Sequence, residues 1–224
     1  GKIYAQEKIY ELKTGRKPAT IGEYLYILKD KKLIYTESNV LQAVGFSTSP
    51  DEIPVASVIE GNTWIRISIT NKTQVSGYNF EIEYPIISDI KFFRQSGDSL
   101  MMLAHTGNNL FFKERKNGSP NFIFPFSIKQ GDTDVFYFQV KSVHPLVLPV
   151  FIRDTGQLDT TISNQNLFFG LYFGIILSII LYNLFLFFST RDRNYLIYII
   201  YLFFLGFAQI TVSGYGFKFL WPQF

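Results

Sequence analysis

Hydrophobic and polar positions follow two different patterns along the chain. In the first two thirds, short apolar runs alternate with polar positions at a period of two and are separated by turn residues. From Leu167 onward, apolar side chains follow one another with few polar interruptions. Alternation at period two indicates half-buried strands, whereas a long continuous apolar run indicates a helix that crosses a membrane. The pattern therefore predicts a β-rich part followed by a membrane part.

The clearest alternation lies in the segments 63–70 (TWIRISIT) and 77–84 (GYNFEIEY). In the first segment Ile65, Ile67 and Ile69 share one face, which we expect to enter a core, and polar side chains share the other face. Further segments of this kind follow at short intervals, and no helical stretch among them is long enough for a βαβ unit. The strands are therefore expected to pair antiparallel.

The predicted fold class is all-β, a jelly-roll-like antiparallel sandwich over residues 21–153 with about eight strands. An N-terminal segment (1–20), which shows weak periodicity, leads into it. The segment 121–128 (NFIFPFSI) contains Pro125, which has no backbone N–H to donate to a neighbouring strand. This strand is therefore expected at the edge of a sheet.

Two apolar segments predict transmembrane helices. The first, 167–188, contains no Asp, Glu, Lys or Arg over about 22 residues, enough to cross the hydrocarbon core of a bilayer. A short polar loop at 189–194 (STRDRN) leads to the second, 195–213, so the two helices form an antiparallel hairpin. The polar stretch 154–166 is predicted to be a short juxtamembrane linker that couples the sandwich closely to the first helix. The lipid bilayer is thus an expected partner.

The orientation of the hairpin follows from its charges. Short loops rich in Arg and Lys stay cytoplasmic, so Arg191 and Arg193 place the loop in the cytoplasm and the β-rich part outside. Residues 214–224 would then begin an outer loop. Because no signal peptide begins at Gly1 and no cytoplasmic domain follows the hairpin, we expect an export signal upstream and further chain beyond Phe224.

Composition excludes several classes of function. The chain has no cysteine, which rules out disulfides, thiolate metal sites and a cysteine nucleophile. The net charge is +3, and the basic residues of the first 33 positions are scattered through polar sequence instead of lying on one helix face. Nucleic-acid binding needs a concentrated basic surface, so a solvated surface is the better interpretation and no nucleic-acid partner is expected.

The sequence carries no catalytic motif. His105 and His144 have no HExxH spacing or second ligand near them, and there is no GxSxG, P-loop or GxGxxG sequence. Glu81 and Glu83 lie on one face of one strand, about 7 Å apart, whereas the two carboxylates of a glycosidase come from different elements across a cleft. A solvated strand face is the preferred interpretation of these glutamates, and no enzyme, metal or cofactor is predicted.

One strand face has the chemistry of a ligand site. Trp64 and Arg66 point to the same side as each other, and Tyr137 and Lys141 alternate in the same way on a later strand. Aromatic faces stack on sugar rings, and Arg and Lys bond to hydroxyl or acidic groups, so these four residues are candidates for binding a small molecule or a carbohydrate. In the alternative interpretation, Trp64 packs in a second layer of the sandwich and Arg66 forms a buried salt bridge.

Three residues of the first membrane segment are candidates for helix packing. Gly170-x-x-x-Gly174 allows another helix to approach closely, either within a bundle or in a homodimer. Asn183 places an amide in hydrocarbon, where it needs a partner, so it either holds helices together or takes part in transmitting a signal.

The order of these features resembles a known family. The phrases IGEYLYILKDKKL, TWIRISITN and FIFPFSIKQGDTDVFYFQV come first, followed by the opening Gly170–Gly174 (GLYFG), the pair Tyr182-Asn183 and the turn Arg191–Tyr195 (RDRNY). Together they resemble the bacterial seven-transmembrane receptors with diverse intracellular signalling modules, the 7TMR-DISM family. The β-rich part resembles the family's extracellular sensor domain of the second type, and the resemblance covers about residues 20–224.

The resemblance implies a sensor with a fold akin to carbohydrate-binding modules, seven membrane helices and a cytoplasmic output module. Outputs in the family include histidine kinases, diguanylate cyclases and phosphatases, and the setting would be the bacterial inner membrane, with the N-terminal domain on the periplasmic side. The chain stops after two helices, so five helices and the output would lie beyond it. The function expected from this is ligand sensing and the first membrane passage of a signal-transduction receptor.

Two other functions remain open from the sequence. The sandwich is either a membrane-anchored carbohydrate-binding or adhesion module without signalling, or an exported glycan-processing enzyme. Further hydrophobic spans and an output domain in the full reading frame would favour the receptor. Two carboxylates facing each other across a cleft from separate strands would favour the enzyme.

Overall fold

The computed structural model describes residues 8–15, 18–56, 61–115 and 118–222. Its strands are β1 (Ile9–Leu12), β2 (Tyr26–Asp30), β3 (Ser47–Thr48), β4 (Val55–Ala56), β5 (Asn62–Asn71), β6 (Gly77–Ile82), β7 (Asp89–Ser96), β8 (Ser99–Thr106), β9 (Phe122–Ser127), β10 (Thr133–Lys141), β11 (Leu146–Val147) and β12 (Val150–Asp154). Its helices are α1 (Thr155–Thr190), α2 (Arg193–Val212) and α3 (Tyr215–Phe219). The first two thirds of the described chain are thus β and the last third is α.

The larger sheet has the strand order β3-β2-β5-β10-β7-β8. The long strand β5 pairs antiparallel with β10 along most of its length and with β2 along its first half. Along its second half β1 pairs with it in parallel. The predicted N-terminal segment (1–20) therefore contributes a strand to the sheet, and among the described strands this pair is the exception to antiparallel pairing.

A second sheet packs against the first and has the order β12-β6-β9. β9 lies at its edge, as Pro125 predicts, and the side chain of this proline is exposed. A short pair, β4 with β11, stands apart from both sheets. The antiparallel all-β sandwich is confirmed, while the jelly-roll arrangement stays a prediction.

Aromatic rings fill the space between the sheets. Phe80 of β6 is fully buried and lies against rings from both sheets, with ring centroids 4.4 Å from Phe126 and 5.2 Å from Phe138. The predicted inward face of β5 is confirmed, since Ile65, Ile67 and Ile69 are all buried in this core. Offset and edge-to-face ring pairs add to the free energy of area burial, so this cluster holds the two sheets together.

The outer face of the larger sheet is covered by residues 35–46, which we name the covering segment. Its Val40 is buried against the outer side chains of the sheet, and Tyr35, Leu41, Ala43 and Phe46 pack around them. Asp30 at the end of β2 anchors the approach to this segment, because its two carboxylate oxygens accept hydrogen bonds from the backbone N–H groups of Ile34 and Tyr35, both at 2.9 Å. The sandwich thus has a third, partial layer.

Helix α1 begins immediately after β12 and continues for 36 residues. Of the stretch 154–166, predicted as a polar linker, Asp154 therefore ends β12 and residues 155–166 are the first part of the same helix that contains the apolar segment. Arg191 and Asp192 alone connect α1 to α2, and Arg191 takes a left-handed conformation with φ 57° to close the turn. The two helices form the predicted hairpin, and α1 and α2 are both long and apolar enough to cross a membrane.

Candidate functional site

Three of the four predicted ligand residues lie together on the outer face of the larger sheet. Arg66 of β5 is directly opposite Tyr137 of β10, and Trp64 is two residues along the same strand face. Trp64 and Tyr137 are buried beneath the covering segment, with Phe46 making an edge contact to the Tyr137 ring at 6.3 Å. Trp64 therefore packs in a second layer, which is the alternative that the sequence left open.

Arg66 is half-buried at the rim of this layer. Its guanidinium carbon lies 5.1 Å from the ring centroid of Tyr26 and 5.1 Å from that of Phe46. A cation held between two rings is stabilised by their quadrupoles. Two aromatic faces therefore form part of the environment of Arg66. The alternative interpretation from the sequence, in which Arg66 forms a buried salt bridge, stays a prediction. Unlike Trp64 and Tyr137, the Arg66 side chain is partly reached by solvent.

Lys141 stands apart from the other three. It is exposed at the end of β10, opposite Asp89 of β7 in the strand register. The Asp89 carboxylate is 2.7 Å from Nε2 of His105. His144 is exposed on a separate turn, and no group of three or more metal-ligating side chains occurs in the described ranges. The structure therefore groups Trp64, Arg66 and Tyr137 and separates Lys141 from them.

An open cleft lies beside the short edge strand β3. Its volume is about 510 Å³, within the range of small-molecule sites. Its lining is mixed: apolar side chains from β2, hydroxyl groups and two prolines, contributed by Ile27, Leu28, Lys29, Gly45, Ser47, Thr48, Ser49, Pro50, Pro54 and Val55. Gly45 belongs to the covering segment and β3 follows that segment directly, so the cleft lies beside the end of the covering segment.

The outer face of the smaller sheet contains a buried ionic network that the sequence interpretation missed. Glu81 was assigned to a solvated face, yet it is fully buried. Its two oxygens accept hydrogen bonds from Nε of Arg153 at 2.5 Å and from the side-chain amide of Asn121 at 2.8 Å. Nη2 of Arg153 donates to Glu83 at 2.7 Å. Because Arg153 lies on β12, far along the chain, alternation within β6 gave no sign of this partner.

The network perturbs Glu83. Burial raises the pKa of the Glu83 carboxyl, and the neighbouring charge of Glu81 raises it further, while Arg153 acts in the opposite direction. A buried ion pair contributes little net stability but costs several kcal/mol when one partner is removed. Arg153 is therefore held firmly in the strand that leads into the membrane helix.

The connection between β12 and α1 is a capped helix start. The Asp154 carboxylate accepts a hydrogen bond from the backbone N–H of Gln157 at 2.8 Å, and the Gln157 side chain accepts one from the backbone N–H of Asp154. This reciprocal pair is a capping box. The spacing Asp154-x-x-Gln157 was visible in the sequence and is the signal that predicts a helix start at residue 155.

A second contact joins the sandwich to the membrane part after α2. The Phe217 ring of α3 packs edge-on against Phe112 at 5.6 Å, and the backbone N–H of Phe112 donates to the carbonyl of Pro222 at 2.9 Å. Gly214 takes a left-handed conformation (φ 78°), and a Cβ there would meet Pro85 at 2.7 Å. Only glycine fits both the conformation and the close approach.

Arg115 lies at the centre of this second contact. It is 5% exposed, and burial lowers its pKa to about 10. Its guanidinium donates to the carbonyls of Pro120 and Pro85 and to the side-chain oxygen of Asn108. No sequence motif marks Arg115, because its partners come from loops whose meeting depends on the complete fold.

The predicted helix-packing residues occupy different surroundings in the hairpin. Asn183 is buried and donates to the carbonyl of Ile179 in its own helix at 2.8 Å. A Cβ at Gly170 or Gly174 would meet no atom of α2 within 4 Å, so neither glycine packs against α2. Gly206 of α2 instead lies against Ile176. The predicted packing role of the three α1 residues within a larger bundle or dimer stays a prediction.

Comparison with known families covers nearly the whole described chain. The model described as "7TMR-DISM extracellular 2" matches residues 22–154, the sandwich, and the model described as "7TM diverse intracellular signalling" matches residues 165–224, the hairpin together with the segment after α2. No curated protein matches the chain. The boundary between the two matched ranges falls within the first three turns of α1.

Proposed function

The chain belongs to the 7TMR-DISM receptor family, and from that premise we propose that it senses a small extracytoplasmic ligand and passes the signal through its membrane helices. The family assignment makes the N-terminal part an extracellular domain and the following part a membrane region. The setting that we propose is the inner membrane of a bacterium, with Arg191 and Arg193 on the cytoplasmic side.

One observation carries the signalling proposal, namely the absence of any flexible joint between β12 and α1. The capping box fixes Asp154 and Gln157 at the junction, and the buried Arg153 holds the end of the strand. Helix α1 then extends for 36 residues, about 54 Å at the rise of an α-helix. A displacement of β12 would therefore be carried into the membrane, which a passive anchor does not require.

The ligand that we propose is a small polar molecule, with carbohydrates as the first class to test. Arg66 and the rings of Tyr26 and Phe46 offer a solvent-reached cation between aromatic faces. Trp64 and Tyr137 would contact the same ligand only if the covering segment moved, because they are buried beneath it. Lys141 would act at a separate point of the same face.

The proposal also includes an output module and a further helix or second copy of the chain. A cytoplasmic output module, such as a kinase, cyclase or phosphatase, would receive the signal beyond the membrane helices. Gly170 and Gly174 present an open small-residue face on α1, which suits another helix of the bundle or a second copy of the chain in a homodimer.

Ligand sensing is tested by thermal unfolding of the whole chain in lipid nanodiscs against sugars, amino acids and organic acids. A ligand raises the unfolding temperature of the chain and of a Lys129→Ala control, which removes an exposed cation from a distant turn. The same ligand should give a smaller rise with Arg66→Ala. An undiminished rise with Arg66→Ala would contradict the assigned face, and a screen without any stabilising compound would contradict the proposed ligand classes.

Signalling is separated from anchoring by a distance measurement. The chain has no cysteine, so cysteines introduced at exposed Ser99 and Thr190 give one labelled pair, one label on the sandwich and one at the hairpin turn. Saturating ligand should shift the distance distribution between the two labels. An unchanged distribution would favour the membrane-anchored binding module.

A further inference from the structure

The segment after α2 returns to the sandwich and docks on it. Gly214 lies against Pro85, and Phe217 packs on Phe112. The carbonyl of Pro222 accepts a hydrogen bond from the backbone N–H of Phe112 at 2.9 Å. Apolar packing, a close glycine contact and a backbone hydrogen bond therefore act together over a short segment. We name this set of contacts the return contact.

A buried cation lies inside the return contact. The guanidinium carbon of Arg115 lies 4.2 Å from the ring centroid of Phe122 and 5.4 Å from that of Phe112, both on the sandwich. The ring of Phe217, from the membrane part, lies 5.0 Å away on the same cation. Within the described ranges no carboxylate forms an ion pair with Arg115. Backbone carbonyls, the side-chain oxygen of Asn108 and π faces are thus its stabilising partners.

This environment couples Arg115 to the returning segment. The attraction between a cation and aromatic rings is stronger when water is excluded, and the Phe217 ring is one of the groups that cover the guanidinium. Removal of the Phe217 ring would admit water to the guanidinium and weaken its attraction to the remaining rings. The arginine and the returning segment therefore stabilise each other.

The geometry also closes a loop in the chain. Without the return contact, α2 would be attached to the sandwich only through α1 and the two-residue turn at the opposite end of the hairpin. The hydroxyl of Tyr215 donates to the side-chain oxygen of Asn166 at 2.6 Å, which ties α3 to the outer part of α1 as well. The sandwich is thereby connected to α1 through β12 and, through Arg115, to α3, which directly follows α2.

We propose that Arg115 is a positioning residue that fixes the outer end of α2 to the sensor domain. The sensor then holds both membrane helices, and a movement within it changes the position of α2 as well as that of α1. The inference goes beyond ligand sensing and is tested without any ligand. Its failure would leave the proposed sensing function untouched.

The direct test is amide hydrogen exchange of the whole chain in nanodiscs. In Arg115→Gln, exchange of the Phe112 amide should rise by about tenfold or more, because its acceptor at Pro222 leaves. Amides of β5 should keep their protection, which shows that the sandwich remains folded. Lys113→Ala is the matched control, since it removes a neighbouring cation that lies over Phe111, outside the rings and carbonyls that surround Arg115. Exchange at Phe112 should not change in this control.

A second readout separates positioning from local stability. One spin label on the sandwich at Ser99 is combined with a label at Val212, the exposed outer end of α2, or at Thr160 on α1. Arg115→Gln should broaden the Ser99–Val212 distance distribution and leave the Ser99–Thr160 distribution unchanged. A Ser99–Val212 distribution as narrow as that of the unmodified chain would overturn the proposal.

A variant in α3 tests the proposal even if Arg115→Gln unfolds the sandwich. Phe217→Ala leaves every sandwich residue in place and removes only the ring contributed by α3. It should raise exchange at Phe112 and broaden the Ser99–Val212 distribution in the same way. If Phe217→Ala leaves both measurements unchanged, Arg115 is a structural residue of its own loop and the inference is wrong.

Discussion

The sandwich and the hairpin place the same kinds of side chain in opposite surroundings. In the sandwich, Phe80 and Phe136 are fully buried between sheets. In the hairpin, Phe185 and Phe188 are each 69% exposed on the outside of α1. Both regions are rich in phenylalanine, so composition alone does not explain the difference. What differs is the solvent that each surface meets, which is water for the sandwich and lipid for the hairpin.

The two regions also satisfy their backbone groups differently. Strands pair with distant parts of the chain, so the sandwich depends on its tertiary contacts for both hydrogen bonding and apolar burial. A helix satisfies its backbone internally, so α1 and α2 need no hydrogen-bonded neighbour in a bilayer, and the apolar lipid accepts their apolar exterior. Removing a core ring should therefore harm the sandwich far more than removing a ring from the hairpin surface.

The largest expected effect tests that contrast directly. Phe80→Ala should lower the free energy of unfolding of the sandwich by about 3 to 5 kcal/mol, because it leaves a cavity among the rings of both sheets. Phe185→Ala, which removes the same kind of ring from the exposed surface of α1, should change stability by less than about 1 kcal/mol. Denaturant unfolding of the chain in nanodiscs gives the free energy of unfolding of both variants. Equal losses would contradict the contrast.

A second pair of variants exchanges an exposed apolar residue for lysine in each region. Leu177 at the middle of the apolar segment and Met102 on β8 are similarly exposed, at 57% and 52%. Leu177→Lys should disfavour membrane insertion by about 3 kcal/mol, because a charge at the centre of the bilayer is costly. Met102→Lys faces water and should stay within about 0.5 kcal/mol. A membrane-insertion assay and an unfolding measurement, respectively, give these values.

The sequence predicted those features that depend on local periodicity. The inward face of β5, the edge position of Pro125 and the hairpin follow from patterns within a few residues, and the structure confirms them. The family resemblance, read from phrases spread over the chain, is confirmed by the two family models. Local periodicity is fixed by the backbone geometry of strands and helices, so it can be recognised in the sequence before the tertiary fold is known.

Features formed by residues far apart in the chain were not predicted from the sequence. Glu81 alternated like a solvated residue, and only its pairing with Arg153 on another strand explains its burial. The rings that surround Arg115 come from the sandwich and from α3, so no spacing along the chain predicts that they meet. The stretch 154–166 was predicted as a linker because its residues are polar. Polar side chains indicate that a segment is exposed to water, but they do not distinguish a loop from an exposed helix.

The junction between the two regions should respond to loss of its cap. Asp154→Ala removes the carboxylate that accepts the backbone N–H of Gln157, and it should cost about 1 kcal/mol. The loss should appear as faster amide exchange in the first turn of α1, with the apolar part of the helix unaffected. Asp159→Ala, an exposed acid one turn further along, is the control and should change little. Exchange confined to β12 would contradict a continuous strand-to-helix connection.

The smallest effect is a dependence on pH. The pKa of Glu83 is raised in the folded sandwich, above all by burial, so the folded state holds this proton more tightly than the unfolded state does. The stability that this protonation contributes is fully present below the unfolded pKa of about 4.5 and is lost as the pH rises through the folded pKa. Glu83 should therefore make the sandwich relatively more stable on mild acidification, unlike a paired carboxylate with a lowered pKa.

Glu83→Gln isolates this contribution because its side chain does not titrate. The difference in unfolding free energy between the unmodified chain and Glu83→Gln should fall as the pH rises from about 4.5 through the folded pKa, and then level off. Glu23→Gln, at an exposed position, controls for the loss of one charge. A difference that grows with pH would mean that the hydrogen bond from Arg153 outweighs burial at Glu83. The ionic network would then behave like a surface pair, although Glu81 beside it is fully buried.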